Sequence, residues 1–349
     1  MQLKQLILVY LLNSLTLETN SNNMENIFIC VTPLEILIAE KIIKFKKIPK
    51  QECRIIFLID KISKKNNYYF NRIKKISTKS NFFLLNKFRY PNYYFKINKL
   101  VKKTSPKIIY IAAIDSSLIQ YVLSKNIFKK IYTFDDGIGN LTKTYNTGFK
   151  KPTIKKILDF MLGINFGEKK IFENVKNHYT IYLNKKNNFS KKPIFIGNLF
   201  KKVKFNKSKT CSIIIGPVFR DLYHSNEIEK QSYILKKFKI FLKKFTINKK
   251  VYIINHPREL ENKYFIKNLV NINTKYLAEE YIIKIMSKKF NKITLYSFPV
   301  STVSINLQYL SSVKNVFFNS LQNSGRSFEA IKVANKFNLN YKQINLDKF

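Results

Sequence analysis

The five residues Ile254-Asn255-His256-Pro257-Arg258 set an imidazole, a guanidinium and a direction-setting proline where an apolar, strand-like run ends. In open α/β sheets ligands gather at the carboxyl ends of strands. A histidine there can meet a phosphate as both an acid and a hydrogen-bond donor. Arg258 would add positive charge to such a site. A loop histidine bonded to nearby backbone is the competing reading of His256, and it loses weight when three further loops are counted beside it. Of the three histidines, His178, His224 and His256, the last is the one placed where ligands bind.

The first of these loops is Phe134-Asp135-Asp136-Gly137-Ile138-Gly139-Asn140. Adjacent carboxylates followed by glycines can accept bonds from sugar hydroxyls. A plain turn, with an Asp cap and glycine at positive φ, explains the same letters without a ligand. A single acidic pair with no further ligand in register is thin support for a metal. The second loop is Ile215-Gly216-Pro217-Val218-Phe219-Arg220-Asp221, where Gly216 would admit a ligand close to the backbone. Asp221 either projects into a cleft between domains, or caps a helix, or pairs with Arg220. The third group joins Glu279-Glu280-Tyr281 to Ser301-Thr302. Glu279 in a first helical turn complements the helix dipole, and a carboxylate there can also accept both hydroxyls of a ribose. Ser301 and Thr302 precede an apolar helical segment, so their hydroxyls and its first N–H groups either cap the helix or make an anion site. Together these loops place phosphate donors, a ribose acceptor and an acid at strand ends of one half, which is the chemistry of a nucleotide site.

Those loops need a scaffold, and the hydrophobic pattern supplies one. Strand-like runs fall at Ile27 to Val31, Arg54 to Ile59, Phe82 to Leu85, Ile108 to Ala112 and Ile131 to Phe134, with helical periodicity between them, as at Leu34 to Ile43 and Tyr68 to Ile76. A helical piece near Ile154 to Leu162 and a strand near Tyr179 to Leu183 follow, and the Lys/Asn/Ser-rich stretch from Lys185 to Lys209 reads as a linker. The alternation then restarts with strands at Ser212 to Ile215, Val251 to Ile254, Ile293 to Phe298 and Val316 to Phe318. Helices are expected up to Phe245, over Leu277 to Met286, from Thr302, and over Ser327 to Asn335. Alternation of this kind predicts an α/β fold of two facing Rossmann-like domains with parallel sheets. The expected division is 24–200 for an acceptor-side domain and 201–349 for a nucleotide-binding one. Residues 1–23 read either as a weak membrane-association segment or as a stretch preceding a true start at Met24, since the apolar run Leu6 to Leu12 is too short to span a bilayer.

Composition narrows the function classes. The formal charge is +43, from 64 Lys and Arg against 21 Asp and Glu, yet only six of the 64 are Arg. The Lys are spread along the whole chain beside an excess of Asn, Ile, Phe and Tyr, which looks like AT-rich codon usage supplying generic solvated surface. Nucleic-acid recognition prefers Arg forks gathered in a patch, so nucleic acid is not an expected partner. A looser attraction to an anionic membrane fits better. Cys30, Cys53 and Cys211 lie in or beside strand-like runs without CxxC spacing, as buried hydrophobes in a reducing compartment do. No Gly-x-Gly-x-x-Gly follows the first strand, and neither a Walker loop nor a Gly-x-Ser-x-Gly elbow occurs. A glycosyltransferase of two Rossmann-like domains fits what remains.

The chain also resembles a known family. Tyr68-Tyr69-Phe70-Asn71-Arg72-Ile73-Lys74, Thr133-Phe134-Asp135-Asp136-Gly137-Ile138-Gly139-Asn140-Leu141, His256-Pro257-Arg258, Glu279-Glu280-Tyr281-Ile282 and Leu295-Tyr296-Ser297-Phe298 leading to Ser301 are similar, in this order, to the bacterial sialyltransferases of glycosyltransferase family 52, the Neisseria lipooligosaccharide type. The likeness runs from about Ile27 to the Ser301 region, with little to align beyond Asn306. It implies a GT-B fold and metal-independent, inverting transfer of sialic acid from CMP-sialic acid to a terminal galactose of a lipooligosaccharide or similar glycan, in α-2,3 linkage. It also implies a cytoplasmic enzyme, peripheral on the inner membrane and able to dimerise, with no cofactor beyond the donor substrate. By the same resemblance Asp221 is the base, His256 the acid, Glu279 the ribose acceptor, and Ser301 with Thr302 the phosphate pair. Extra residues between Gly216 and Asp221 depart from the family's pattern. Asp136 stands as the alternative base, because other sialyltransferases use an aspartate of the Asp-Asp-Gly type. Another nucleotide-sugar transferase of the same fold, or a noncatalytic polyanion binder, are the competing functions.

Overall fold

Parallel strands covered by helices on both faces must be apolar along their whole length, and β1 (Glu25–Cys30) is buried at every position. The computed structural model describes residues 25–85, 92–102, 107–137, 141, 153–183, 193–200, 203–205, 209–217, 228–256, 264–299, 301–320 and 325–349. The expected segment 1–23 lies outside them.

In the first half β1 is followed by α1 (Pro33–Phe45), β2 (Cys53–Ile59), α2 (Lys64–Ile73), β3 (Lys79–Leu84), α3 (Asn92–Lys102), β4 (Lys107–Ile111), α4 (Ser117–Lys125), β5 (Lys130–Phe134), α5 (Thr153–Met161), α6 (Glu168–Asn174), β6 (Val175–Thr180) and β7 (Pro193–Phe195). The second half holds β8 (Thr210–Ile215), α7 (Ile228–Phe245), β9 (Val251–Ile254), β10 (Leu269–Asn271), α8 (Ala278–Lys284), β11 (Lys292–Ser297), α9 (Thr302–Asn306), β12 (Val313–Asn319), α10 (Gly325–Lys336) and β13 (Tyr341–Asn345).

The strand orders are β3-β2-β1-β4-β5-β6-β7 and β10-β9-β8-β11-β12-β13, and every pairing is parallel. Both sheets follow the Rossmann order, in which the direction of winding reverses between the first and fourth strands. The chain is therefore an α/β protein of two Rossmann-like domains, as the alternation predicted. The reversal points, β1/β4 and β8/β11, are where crevices open at the carboxyl ends.

Aromatic rings fill much of the first core. Phe28 stacks on Tyr110 with centroids 4.2 Å apart, and Tyr110 stacks on Tyr132 at 5.0 Å. In the second core Phe238 lies edge-on to Phe318 at 5.4 Å. Late in the chain Ala330, Val333 and Ala334 of α10, with Phe337 after it, join the cluster that covers the first sheet, where Phe337 meets Tyr182 edge-on at 5.4 Å. Cys30, Cys53 and Cys211 are buried thiols, placed in strands as expected.

Several boundaries differ from the sequence reading. The expected linker contains β7, a three-residue edge strand opened by Pro193, which has no N–H to lose there. β6 begins four residues before the expected Tyr179, because its polar His178 and Thr180 are buried rather than exposed. α2 begins four residues before Tyr68, at a cap in which Ser63 Oγ accepts the Asn66 N–H at 3.0 Å. Its Lys-rich first turn carries no apolar periodicity to announce it.

Candidate active site

The site is built from loops at the carboxyl ends of both sheets. After β5 comes Asp135, whose side chain has no exposed surface. Its Oδ1 lies 3.0 Å from His178 Nε2 and its Oδ2 accepts the Ile181 N–H at 2.7 Å. The other ring nitrogen of His178 lies 2.9 Å from Thr133 Oγ1. Asp135 therefore bolts β5 to β6 and the turn after it. The expectation that it would hold sugar hydroxyls gives way, because both oxygens already have partners in a site closed to solvent.

Asp136 is only half-buried and is hydrogen-bonded to Glu35 in the first turn of α1. Glu35 is fully buried and accepts the Val31 N–H at 2.9 Å and the Thr32 hydroxyl at 3.0 Å, while Thr32 in turn caps the Glu35 N–H at 3.2 Å. Burial first, and then the Asp136 charge, push the Glu35 carboxyl well above its ordinary range. Two touching carboxyls cannot both ionise cheaply, so the shared proton stays on Glu35, which donates it toward Asp136. Sequence reasoning missed Glu35, although Thr32-Pro33-Leu34-Glu35 is a capping-box pattern with proline at the first helical position.

Gly137 has φ +70, the left-handed region that favours glycine. A Cβ there would stand 2.7 Å from Thr302 Cγ2 and 3.6 Å from Leu34 Cδ2. The Asp136–Gly137 turn of the first domain thus lies directly against the start of α9 in the second.

Across the crevice Ser301 and Thr302 are half-buried, and Ser301 makes no side-chain capping bond to α9. The helix they begin at Thr302, as expected, spans five residues. Gly216 stands beside the exit of β9, its N–H donating to Ile254 O at 2.9 Å. A Cβ on Gly216 would meet Asn255 Oδ1 at 2.8 Å, so the glycine lets the exit of β9 pack closely against this backbone. His256 is half-buried on that same exit, next to Gly216 and at the same end of the sheet as Ser301. Asp221 and Arg258 lie outside the described residues. Among the described residues no group of three or more acids, histidines or cysteines is arranged to hold a metal.

Glu279, in the first turn of α8, is buried and accepts Asn306 Nδ2 at 2.8 Å, while Asn306 Oδ1 accepts the Tyr182 hydroxyl of the first domain at 3.1 Å. Burial raises the Glu279 carboxyl, opposed by the Asn306 bond and by the Lys65 charge. Lys65 comes from α2 in the first domain, and burial pushes its ammonium down to about 8 against the pull of Glu279. Lys65 also escaped sequence reasoning. Its one signal is a cation in the first turn of a helix, where the dipole favours acids. Glu280, next in the chain, turns to α2 and binds Tyr69 and Arg72.

Residues 50–324 match the model of a family described as glycosyltransferase family 52. The chain is 28% identical over 289 residues to the N-acetyllactosaminide alpha-2,3-sialyltransferase of Haemophilus influenzae, covering 81% of this chain and 88% of that protein. It is 27% identical over 271 residues to the CMP-N-acetylneuraminate:beta-galactoside alpha-2,3-sialyltransferase of Pasteurella multocida, covering 74% and 80%. It is 25% identical over 291 residues to the N-acetyllactosaminide alpha-2,3-sialyltransferase of Neisseria meningitidis serogroup A, covering 78% and 73%.

Proposed function

The chain belongs to glycosyltransferase family 52, and from that premise we propose that it is an inverting sialyltransferase, moving sialic acid from CMP-sialic acid to a terminal galactose of a lipooligosaccharide or similar surface glycan in α-2,3 linkage. The observation that supports this reading is the approach of the Asp136–Gly137 turn to Thr302, where a Cβ on Gly137 would stand 2.7 Å from the Thr302 methyl, which brings the loop after β5 of one domain against the start of α9 in the other. Breaking the bond from the anomeric carbon to CMP builds negative charge on the phosphate and positive charge on the sugar. Donors aimed at the phosphate therefore stabilise the transition state more than the bound donor. His256 protonates the departing phosphate, Ser301 and Thr302 bond its oxygens, and Glu279 accepts the ribose hydroxyls. A carboxylate on the opposite face takes the proton of the acceptor hydroxyl as that oxygen attacks, which inverts the centre in one displacement.

The family resemblance assigns the base to Asp221; we take Asp136, at the domain junction, as the base, with Asp221 as the alternative. Asp136 sits beside Glu35, whose carboxyl is pushed well above its ordinary range by burial and by the Asp136 charge. The chemistry proceeds between two domains that exclude water, which would otherwise hydrolyse the donor.

The enzyme works at an anionic membrane surface. On α5 the side chains of Phe160 and Met161 are 83% and 76% exposed, and Lys156, Lys169 and Lys170 nearby are exposed as well. Apolar side chains flanked by lysines suit peripheral contact with acidic lipid. Among the described residues no helix is long and apolar enough to cross a membrane.

Incubating the protein with CMP-sialic acid and lactose, with chelator present, should release CMP and give a sialylated product whose linkage NMR reads as α-2,3. Release from UDP-, GDP- or dTDP-sugars instead of CMP-sialic acid would overturn the assignment.

A further inference from the structure

Lys65, Tyr68, Tyr69 and Arg72 follow one another at helical spacing along one side of α2, and that side meets the start of α8 in the other domain. Tyr69 Oη accepts the Leu277 N–H at 2.9 Å and donates its own proton to Glu280 Oε2. Arg72 Nη1 donates to Glu280 Oε1 at 3.1 Å, and Lys284 Nζ reaches the same oxygen at 2.7 Å. Arg72 also pairs through Nε with Glu40 of α1, which takes Lys44 Nζ at 2.7 Å. Opposite charges thus alternate from Lys44 through Glu40, Arg72 and Glu280 to Lys284, crossing the domain boundary in the middle. Tyr68 adds an edge-on contact to Tyr276 with centroids 5.2 Å apart. The Glu280 side chain is 4% exposed, a degree of burial at which a carboxylate stripped of partners is strongly unfavourable.

All of these contacts fasten α8, and the first turn of α8 also carries Glu279. Neighbouring side chains on a helix diverge by a fixed angle of about 100°, so holding Glu280 sets the direction in which Glu279 points. The Lys65 ammonium and the Tyr182–Asn306 pair then fix the Glu279 carboxyl from the first domain as well. We propose that Tyr69 and Arg72 are positioning residues of the donor site: by clasping Glu280 across the domain boundary they hold Glu279 in the orientation that receives the donor's nucleoside. This rests on the reading of Glu279 as the ribose acceptor. Neither Tyr69 nor Arg72 touches a reacting atom, and their influence passes through α8 alone.

The test uses the full-length chain and the variants Tyr69→Phe, Arg72→Lys and Glu280→Gln. In each, the Kd for CMP in calorimetry and the KM for CMP-sialic acid should rise about tenfold, the scale of one lost bond to a buried charge, while the lactose KM stays near the parent's; the thermal midpoint falls in Tyr69→Phe, where the buried Glu280 carboxylate loses a partner. Tyr69→Phe combined with Glu280→Gln should weaken CMP binding no more than either alone, because both break one clasp. Hydrogen exchange without nucleotide should show Leu277 to Lys284 opening faster in Tyr69→Phe. Unchanged exchange, or donor and acceptor constants that worsen together, would overturn the inference. If the parent neither binds CMP nor turns over CMP-sialic acid, the proposed reaction fails instead, and the exchange measurement still decides for or against the clasp.

Discussion

Asp135-Asp136 and Glu279-Glu280 are both pairs of neighbouring carboxyls, one in each domain, and in each pair the two members look onto different surroundings. Asp135 is spent on β6, through His178 and the Ile181 amide, while Asp136 is hydrogen-bonded to Glu35 in the first turn of α1. Glu280 is spent on α2, through Tyr69 and Arg72, while Glu279 takes Asn306 and faces Lys65. The difference lies in what the structural member holds. Asp135 ties two elements of one domain together and so belongs to that domain's stability. Glu280 ties one domain to the other and so belongs to their coupling. In the proposed reading, two acids in sequence thus divide fold from chemistry twice, on different length scales.

That division can be broken experimentally. The largest effect is expected from Asp135→Ala, which strands His178 and an amide in the core and should cost about 2–6 kcal/mol of stability in denaturant unfolding, about 1–3 kcal/mol for each buried group left without its partner. Retention of parental stability would show that Asp135 is no bolt. Asp136→Ala and His256→Ala should each leave a folded protein whose kcat falls by about a hundredfold or more, the usual worth of a positioned base or acid. If Asp136→Ala turns over normally and Asp221→Ala is dead, the base is Asp221, and the Asp-Asp pair divides no labour.

The Glu35 proton makes a finer distinction. Because the folded pKa of Glu35 is raised well above its ordinary value of 4.5, the native state holds a proton that the unfolded chain has lost once pH exceeds that value. Stability must then fall as pH rises from 4.5 through the raised pKa, by up to about 1.4 kcal/mol per pH unit for one proton. Glu35→Gln keeps a neutral side chain and should flatten this slope in unfolding scans across pH. A slope equal to the parent's would show that the Glu35 proton is not its source. The smallest effect is expected from Gly137→Ala, where positive φ and the nearby Thr302 methyl should cost about 1 kcal/mol, read as weaker CMP binding with little change in acceptor KM.

Much of the scaffold is legible in the order of the amino acids. β1, β2, β4, β5, β8, β9, β11 and β12 all fall where apolar runs place them, since a strand buried on both faces announces itself residue by residue. β7, β10 and β13 escape notice because strands of three to five residues at or beside a sheet edge bury too little to leave a run. Within the candidate site, His256, Ser301 and Thr302 are legible as polar residues just past apolar strands, and Glu279 as an acid in a helix's first turn. Glu35, Lys65 and the partners of Glu280 are not, since their significance comes from contacts with remote parts of the chain.

The amino-acid order by itself determined the two parallel sheets, the strand ends at which polar loops gather, and the family, because burial of a strand is a local property of its own side chains. Only the tertiary structure decided which acid of each pair is structural. The bond from His178 to Asp135 spans 43 positions and that from Tyr69 to Glu280 spans 211, and a hydrogen bond between such distant residues leaves no period in the sequence: it exists only once the packed sheets have brought its two ends within about 3 Å of each other.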